Sequence, residues 1–252
     1  MIATNPRDVR TQLGRNLTHG MLDALGRTIV IGEYENRVFP TEAELAKQHG
    51  VSQSVTREAV KMLTAKGLLS ARPRQGTIIQ PSTSWNLFDT DVLRWLLERK
   101  FSVELLRHFN QLRVAIEPEA AALAAVNADN AERKAISDGL ARMQAAEEGM
   151  DNALEADIAF HVAILKASRN PFYLQFQDVV STALRTSILF TNRIKGRSAS
   201  VEAHTAVRDA IAKQNPDRAR TAMRKIISDV LDLMDTVQLE KKSAGSKKSA
   251  KK

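Results

Sequence analysis

Between Pro40 and Thr77 the chain reads PTEAELAKQHGVSQSVTREAVKMLTAKGLLSARPRQGT, and this stretch constrains the fold more than any other. Thr41-x-x-Glu44, following Pro40, is a capping box, so a helix opens there. Gly50 ends that helix. Ser52 begins a second one, which runs to about Lys66 with Gly67 as its C-terminal cap. Leu68–Ala71 and Thr77–Gln80 read as two short strands around a turn at Pro73–Gly76. Helix, tight turn, helix and basic hairpin form the layout of a winged helix-turn-helix, which lays its second helix in the DNA major groove.

The residue types on that second helix suit nucleic acid. Its first turn holds Ser52, Gln53 and Ser54, with Arg57 one turn on, and in this motif the N-terminal residues meet base edges. Gln contacts adenine bidentately, and Arg contacts guanine or phosphate. Lys47, Lys61, Lys66, Arg72 and Arg74 surround the helix and suit phosphate neutralisation. Val55, Ala59, Met62 and Leu63 form the opposite, apolar stripe. Read as spacing alone, the same pattern fits a small helical hairpin with a solvated basic face. The basic hairpin that follows at once favours DNA.

A chain of 252 residues has room for two domains, each with its own core. The net charge of +8 is segregated: +4 in residues 1–80, +5 in 240–252, and −1 between them. There are no cysteines, which excludes disulfides and thiolate metal sites. The opening MIATNPRDVR has no apolar h-region, so no secretory signal is expected, and no apolar run approaches the roughly 18 residues of a membrane span. A cytoplasmic protein is expected.

A first helix is expected over Val9–Ile31, weakened by Gly14 and Gly26 at about 1 kcal/mol each. Residues 81–87 read as a linker. Beyond them the pattern is helical throughout, with expected helices at 88–99, 102–126, 130–148, 151–168, 171–194, 199–213 and 216–239. Asn170-Pro171 and Asn215-Pro216 mark two helix starts. The fold class is therefore mainly α. A winged helix-turn-helix domain with a small β wing (1–80) precedes an all-α bundle of six or seven helices (88–239). The lysine-rich tail KKSAGSKKSAKK (240–252 with Glu240) reads as low-complexity and disordered.

Within the helical part, Asp157 and His161 stand at i and i+4 on one helix, on the stripe formed by Leu154, Ile158 and Leu165. His204 lies on another stripe, between Val201 and Val207/Ile211. Buried carboxylate and imidazole groups need partners. A divalent cation satisfies both, and so does a plain Asp–His hydrogen bond. Arg113, near Phe109 and Ile116, and Arg185, in VVSTALRTSILF, also fall on core stripes and need anionic partners. A metal, two histidines and two arginines suit a small carboxylate ligand.

The segments FPTEAELA, GVSQSVTREAVKMLTAKGLL and RPRQGT resemble the N-terminal domain of the GntR superfamily of bacterial regulators, over roughly residues 15–80. The resemblance implies that Ser52, Gln53, Ser54 and Arg57 face operator DNA. Lys61, Arg72 and Arg74 would be nearby, and Gln75, Gly76 and Thr77 would lie at the wing. Ala43 and Gln53 stand where an Arg is common in the family, so its base preferences are not carried over. RVAIEPEAAALAA, DIAFHVAILKASRNP and EAHTAVRDAI resemble the FCD effector domain of the FadR subfamily, over roughly 90–235. That resemblance implies a divalent ion, commonly zinc, held by Asp157, His161 and His204, with an organic-acid effector nearby. The family's third histidine is replaced by Ile226, in Ala222-Met223-Arg224-Lys225-Ile226. SWNLFDTDVLRWLLE (84–98) resembles the galactonate-operon repressor branch and implies a sugar-acid effector; its apolar residues are expected to pack between domains.

The expected function is a dimeric, effector-responsive DNA-binding regulator, a repressor of a sugar-acid operon, nucleoid-associated in a bacterial cytoplasm. A metal sensor is the alternative. A metal-dependent enzyme using Asp157, His161 and His204 would need a general base, and no residue near these motifs is placed to be one.

Overall fold

The structure is a computed structural model. It describes the backbone of residues 6–35, 37–72, 76–99, 103–195 and 200–249, and the side chains of 16–35, 37–72, 76–98, 103–186 and 200–236. The chain divides into two units, Met1–Phe101 and Ser102–Lys252.

In the first unit α1 (Pro6–Ile31) is followed by α2 (Glu42–His49) and α3 (Gln53–Ala65). Thr41 caps α2 through the expected capping box with Glu44. Gly50, at φ 63°, supplies the left-handed residue that turns the chain, and its N–H reaches Ala46 O. Ser52 then caps α3. Strands β1 (Leu69–Arg72) and β2 (Gly76–Ile79) pair antiparallel, from Leu69 opposite Ile79 to Arg72 opposite Gly76. Leu22, Leu25, Ile29, Leu45, Ala59, Leu63 and Leu68 form the core with Trp95.

That tryptophan lies on α4 (Thr90–Arg99), and its place corrects the expected boundary. The linker and helix assigned to 81–87 and 88–99 are built into the first unit. Asn86 N–H donates to Lys66 O at 3.0 Å, and Trp85 Nε1 donates to Gln80 O at 3.0 Å. Gly67 (φ 80°) passes so close to Ser84 that a Cβ would come within 2.3 Å of its carbonyl oxygen. The Trp95 indole lies against the bare backbone of Gly26, and its Nε1 donates to Asp23 Oδ1 at 2.8 Å. Arg94 and Arg27 also bond Asp23. Of the apolar residues of 84–98, expected to pack between domains, Trp85, Val92, Trp95 and Leu96 pack inside the first unit, while Leu87 and Phe88 stay exposed.

The second unit is helical: α5 (Val103–Asn127), α6 (Asn130–Glu147), α7 (Ala153–Ala167), α8 (Pro171–Gln175), α9 (Gln177–Lys195), α10 (Val201–Ala212) and α11 (Pro216–Ser249). Helix α5 packs along α11, α6 along α7, and α10 against α11 and α6. Gly139 on α6 lets α7 approach closely, since a Cβ there would stand 3.0 Å from Phe160 Cα. The expected helix 171–194 is two helices, because at Phe176 the ladder tightens to an i→i−3 bond to Tyr173 O. The tail expected to be disordered differs over residues 240–249, because α11 continues to Ser249; residues 250–252 lie outside the described residues. Low complexity argues against a packed core, but Lys and Ala are good helix formers, and extending an existing helix needs no new nucleus. Among the described residues no helix is long and apolar enough to cross a membrane.

Candidate functional sites: a basic helix face and a buried charged cluster

The first candidate site is the N-terminal end of α3. Ser52, Gln53, Ser54 and Arg57 are all exposed there, while Thr56, Ala59, Val60 and Leu63 turn inward. Ser52 and Ser54 hydroxyls lie 2.9 Å apart. Arg57 Nε donates to Glu42 Oε2 on α2 at 3.1 Å, with both side chains exposed. A surface pair of this kind contributes at most about 1 kcal/mol, so an incoming phosphate or base can replace it. Lys47, Lys61 and Arg72 are exposed as expected, as is Gly76 at the start of β2, and Thr77 is half-buried. Arg74 and Gln75 lie outside the described residues.

Lys66 behaves differently from its sequence reading. Its ammonium is only 13 % exposed and donates to Asp89 at 2.7 and 2.8 Å and to Asp91 at 2.9 Å. Burial pulls its pKa down, but the two carboxylates outweigh that and hold it above the usual lysine value. This lysine fastens the segment before α4 to α3 and is not available for phosphate.

The second candidate site lies inside the helical unit. Asp157 and His161 on α7 and His204 on α10 are each buried, and one ligand atom of each lies within 4.8 Å of the others. The side chains expected to converge do so. Asn152 caps α7, and the i, i+4 spacing puts Asp157 and His161 on one face. Ser200 caps α10, and its carbonyl oxygen lies 2.7 Å from His204 Nδ1. A carbonyl only accepts, so Nδ1 carries the proton. In the neutral ring Nε2 is then a lone pair, and it faces Asp157 Oδ1 at 3.0 Å. Neither of those two buried atoms has a hydrogen-bond partner, nor has His161 Nδ1. Two acceptors facing each other away from water fit a cation between them.

Two further side chains complete the cluster, and sequence reasoning passed over both. Glu117 on α5, 1 % exposed, accepts from Arg113 Nε at 2.5 Å and from Nη2 at 3.2 Å. Its Oε2 stands 2.6 Å from His161 Nδ1. Asn110 Oδ1 takes Arg113 Nη1 at 3.1 Å. Glu117 was legible as the residue four after Arg113 in RVAIEPE, where i, i+4 side chains meet. Arg113 Nη2 also lies 3.5 Å from His161 Nε2. Arg185 does not join the cluster. It is half-exposed on α9 and pairs with Glu155, one contact being 3.0 Å, because its position on the helix turns outward.

Formal charge shows what the cluster requires. Burial pushes the Glu117 carboxyl up, but Arg113 and His161 outweigh it and hold it at about 2. Burial likewise raises Asp157, and His204, His161 and Arg113 together hold it below the ordinary carboxylate range. Both acids are therefore ionised. Arg113 cancels Glu117, and the Asp157 charge is balanced by a positive group beside it, either a protonated imidazole or a bound cation. A divalent metal supplies the balancing charge through an aspartate-and-two-histidine ligand set, which is within zinc's range and leaves room for an exogenous ligand. On α11, Met223 and Ile227 are fully buried and Ile226 partly so, giving apolar wall where the resemblance places another histidine.

Comparison with known proteins agrees with both halves. Residues 21–79 match the family of bacterial regulatory proteins called the gntR family, and residues 109–229 match the FCD domain. An uncharacterized HTH-type transcriptional regulator of Escherichia coli, YieP, is 35% identical over 84% of this chain and 93% of its own length. The galactonate operon transcriptional repressor of the same organism is 32% identical over 84% of this chain and 94% of its own. Among solved structures, E. coli McbR/YncC shares the fold with a TM-score of 0.50 at 18% identity, over 88% of this chain and 98% of that one. These matches are to transcriptional regulators rather than enzymes. The chain belongs to the GntR family of DNA-binding transcriptional regulators, of the type that carries an FCD domain.

Proposed function

We propose that this regulator is a homodimeric repressor of a sugar-acid catabolic operon, released from a pseudo-palindromic operator by a small carboxylate such as an aldonate or a 2-keto-3-deoxy acid. The observation that carries the effector reading is the buried cluster of Asp157, His161, His204, Arg113 and Glu117, whose aspartate and two histidines form a donor set that fits a divalent cation. The likeness to the galactonate operon repressor supports the choice of acid.

In this reading Asp157, His161 and His204 hold a divalent ion, most naturally zinc. Zinc there supplies positive charge that attracts a carboxylate or hydroxyl oxygen. Arg113 is the second positive group, and an incoming carboxylate competes with Glu117 for it. Arg185, on the surface, has no part. On the DNA side Ser52, Gln53, Ser54 and Arg57 read base edges, while Lys61, Arg72 and Arg74, with Gln75, Gly76 and Thr77 of the wing, grip the backbone. Two copies match a two-fold operator because a two-fold dimer reads two-fold sites. The protein works in the bacterial cytoplasm.

A mobility-shift titration of the DNA flanking the gene, with a panel of sugar acids and zinc-loaded protein, tests this. Release by at least one acid is expected. Release by none, with binding governed by zinc alone, would instead favour a metal sensor.

A further inference from the structure

We infer that Glu117 is the positioning residue of the metal site: its carboxylate takes the Nδ1 proton of His161 and so presents Nε2 to the ion. The inference rests on the metal reading above and assigns a role to a residue outside the ligand set. Each histidine has an oxygen close to its Nδ1. His204 Nδ1 is held by a built-in acceptor, the Ser200 carbonyl, at 2.7 Å. His161 Nδ1 has Glu117 Oε2 at 2.6 Å, within hydrogen-bond distance although not aligned as a hydrogen bond. In both rings the other nitrogen lies toward Asp157 Oδ1, at 3.0 Å from His204 Nε2 and 3.6 Å from His161 Nε2.

Glu117 is itself fixed. Arg113 grips both of its oxygens, and Asn110 holds Arg113 from the far side. All of these groups are at most 3 % exposed, so water cannot take over the role. A histidine ligand whose second nitrogen is held by a carboxylate keeps one tautomer and gains basicity, and loss of such a partner lowers metal affinity by about 10–100-fold. This gives the Arg113–Glu117 pair a purpose beyond its own neutrality. It also compensates for a ligand set of only three protein groups.

The test is Glu117→Gln in the full-length protein. Arg113 only donates, so it claims the amide oxygen and turns the amide NH2 toward His161 Nδ1. That favours the Nε2–H tautomer and blocks the ligand nitrogen. Two readouts are needed: zinc affinity by competition with a chromophoric chelator, and histidine tautomers by long-range proton–nitrogen correlation in metal-free protein. The expected results are an Nδ1–H tautomer for His161 in the wild type, its loss in the variant, and zinc affinity about 10–100-fold lower. The His204 tautomer should not change, because a backbone carbonyl sets it. A wild-type His161 in the Nε2–H form overturns the inference even if the variant does not fold. So does a folded variant that binds zinc as tightly as the wild type. Failure of the wild type to bind zinc at all overturns the metal reading, and this inference with it.

Discussion

Replacing Gly26 by Ala should destabilise the DNA-binding unit, although the same change at Gly20 on the same helix should stabilise it. Ala is favoured over Gly in a helix interior by about 1 kcal/mol. At Gly20 nothing stands within 4 Å of a new Cβ, so that gain is kept. At Gly26 the Cβ would lie 2.3, 2.4 and 2.5 Å from three atoms of the Trp95 ring. The indole has no room to yield, since it is 1 % exposed and its Nε1 is tied to Asp23. Overpacking against a rigid buried group costs roughly 1–3 kcal/mol, and an approach as close as 2.3 Å belongs to the upper part of that range, so about 1–2 kcal/mol of net loss is left after the helix gain of about 1. The assay reads this unit alone, because both tryptophans of the chain, Trp85 and Trp95, lie in it. Urea unfolding followed by tryptophan fluorescence should show the Gly26→Ala midpoint falling by about 1 M and the Gly20→Ala midpoint rising by a similar or smaller amount. Equal stabilisation of the two variants would refute the close packing of α4 on α1.

Other expectations follow from the same geometry. Lys66→Ala should destabilise the first unit by about 1–3 kcal/mol, because two half-buried carboxylates lose their partner, while leaving the salt dependence of DNA binding unchanged. Lys61→Ala should do the reverse and lower the salt slope by about 1. Asp23 has its carboxyl depressed to about 2: burial raises it, but bonds from Trp95, Arg94 and Arg27 outweigh that. Its contribution to stability is therefore complete above the unfolded value near 3.8 and is lost as pH falls toward 2. After allowance for the 37 % exposure of its side chain, the loss should be about 1 kcal/mol in fluorescence-monitored unfolding, and Asp23→Asn should flatten it. Removing residues 241–252 takes away 6 lysines and should weaken binding to random DNA most at low salt, with a shallower salt slope.

The helix-turn-helix was legible in the sequence because its determinants are local. Thr41, Glu44, Gly50 and Ser52 act within a turn of the chain, and each acts in the structure as its spacing implies. Asp157 with His161 was legible for the same reason, and His204 through the polar break it makes in an apolar stripe. What escaped depends on distant partners. The apolar face of 90–99 announces burial but not against what, and only the structure names α1. Gly26 reads as a helix defect until Trp95 is found against it. Lys66 reads as phosphate-ready until Asp89 and Asp91, more than 20 residues on, close over it. Glu117 was within local reach, four residues from Arg113. An arginine on a core stripe signals an anionic partner but not which one, and here the partner is on its own helix.

In the proposed switch, an acid bound in the helical unit controls DNA affinity in the other. Fluorescence anisotropy of DNA from the flanking intergenic region, with zinc-loaded protein and increasing galactonate or a related acid, measures this directly. Typical coupling of about 1–3 kcal/mol predicts apparent DNA affinity lowered by roughly 5–150-fold at saturation. Acid that binds the protein yet leaves DNA affinity unchanged would rule out such a switch.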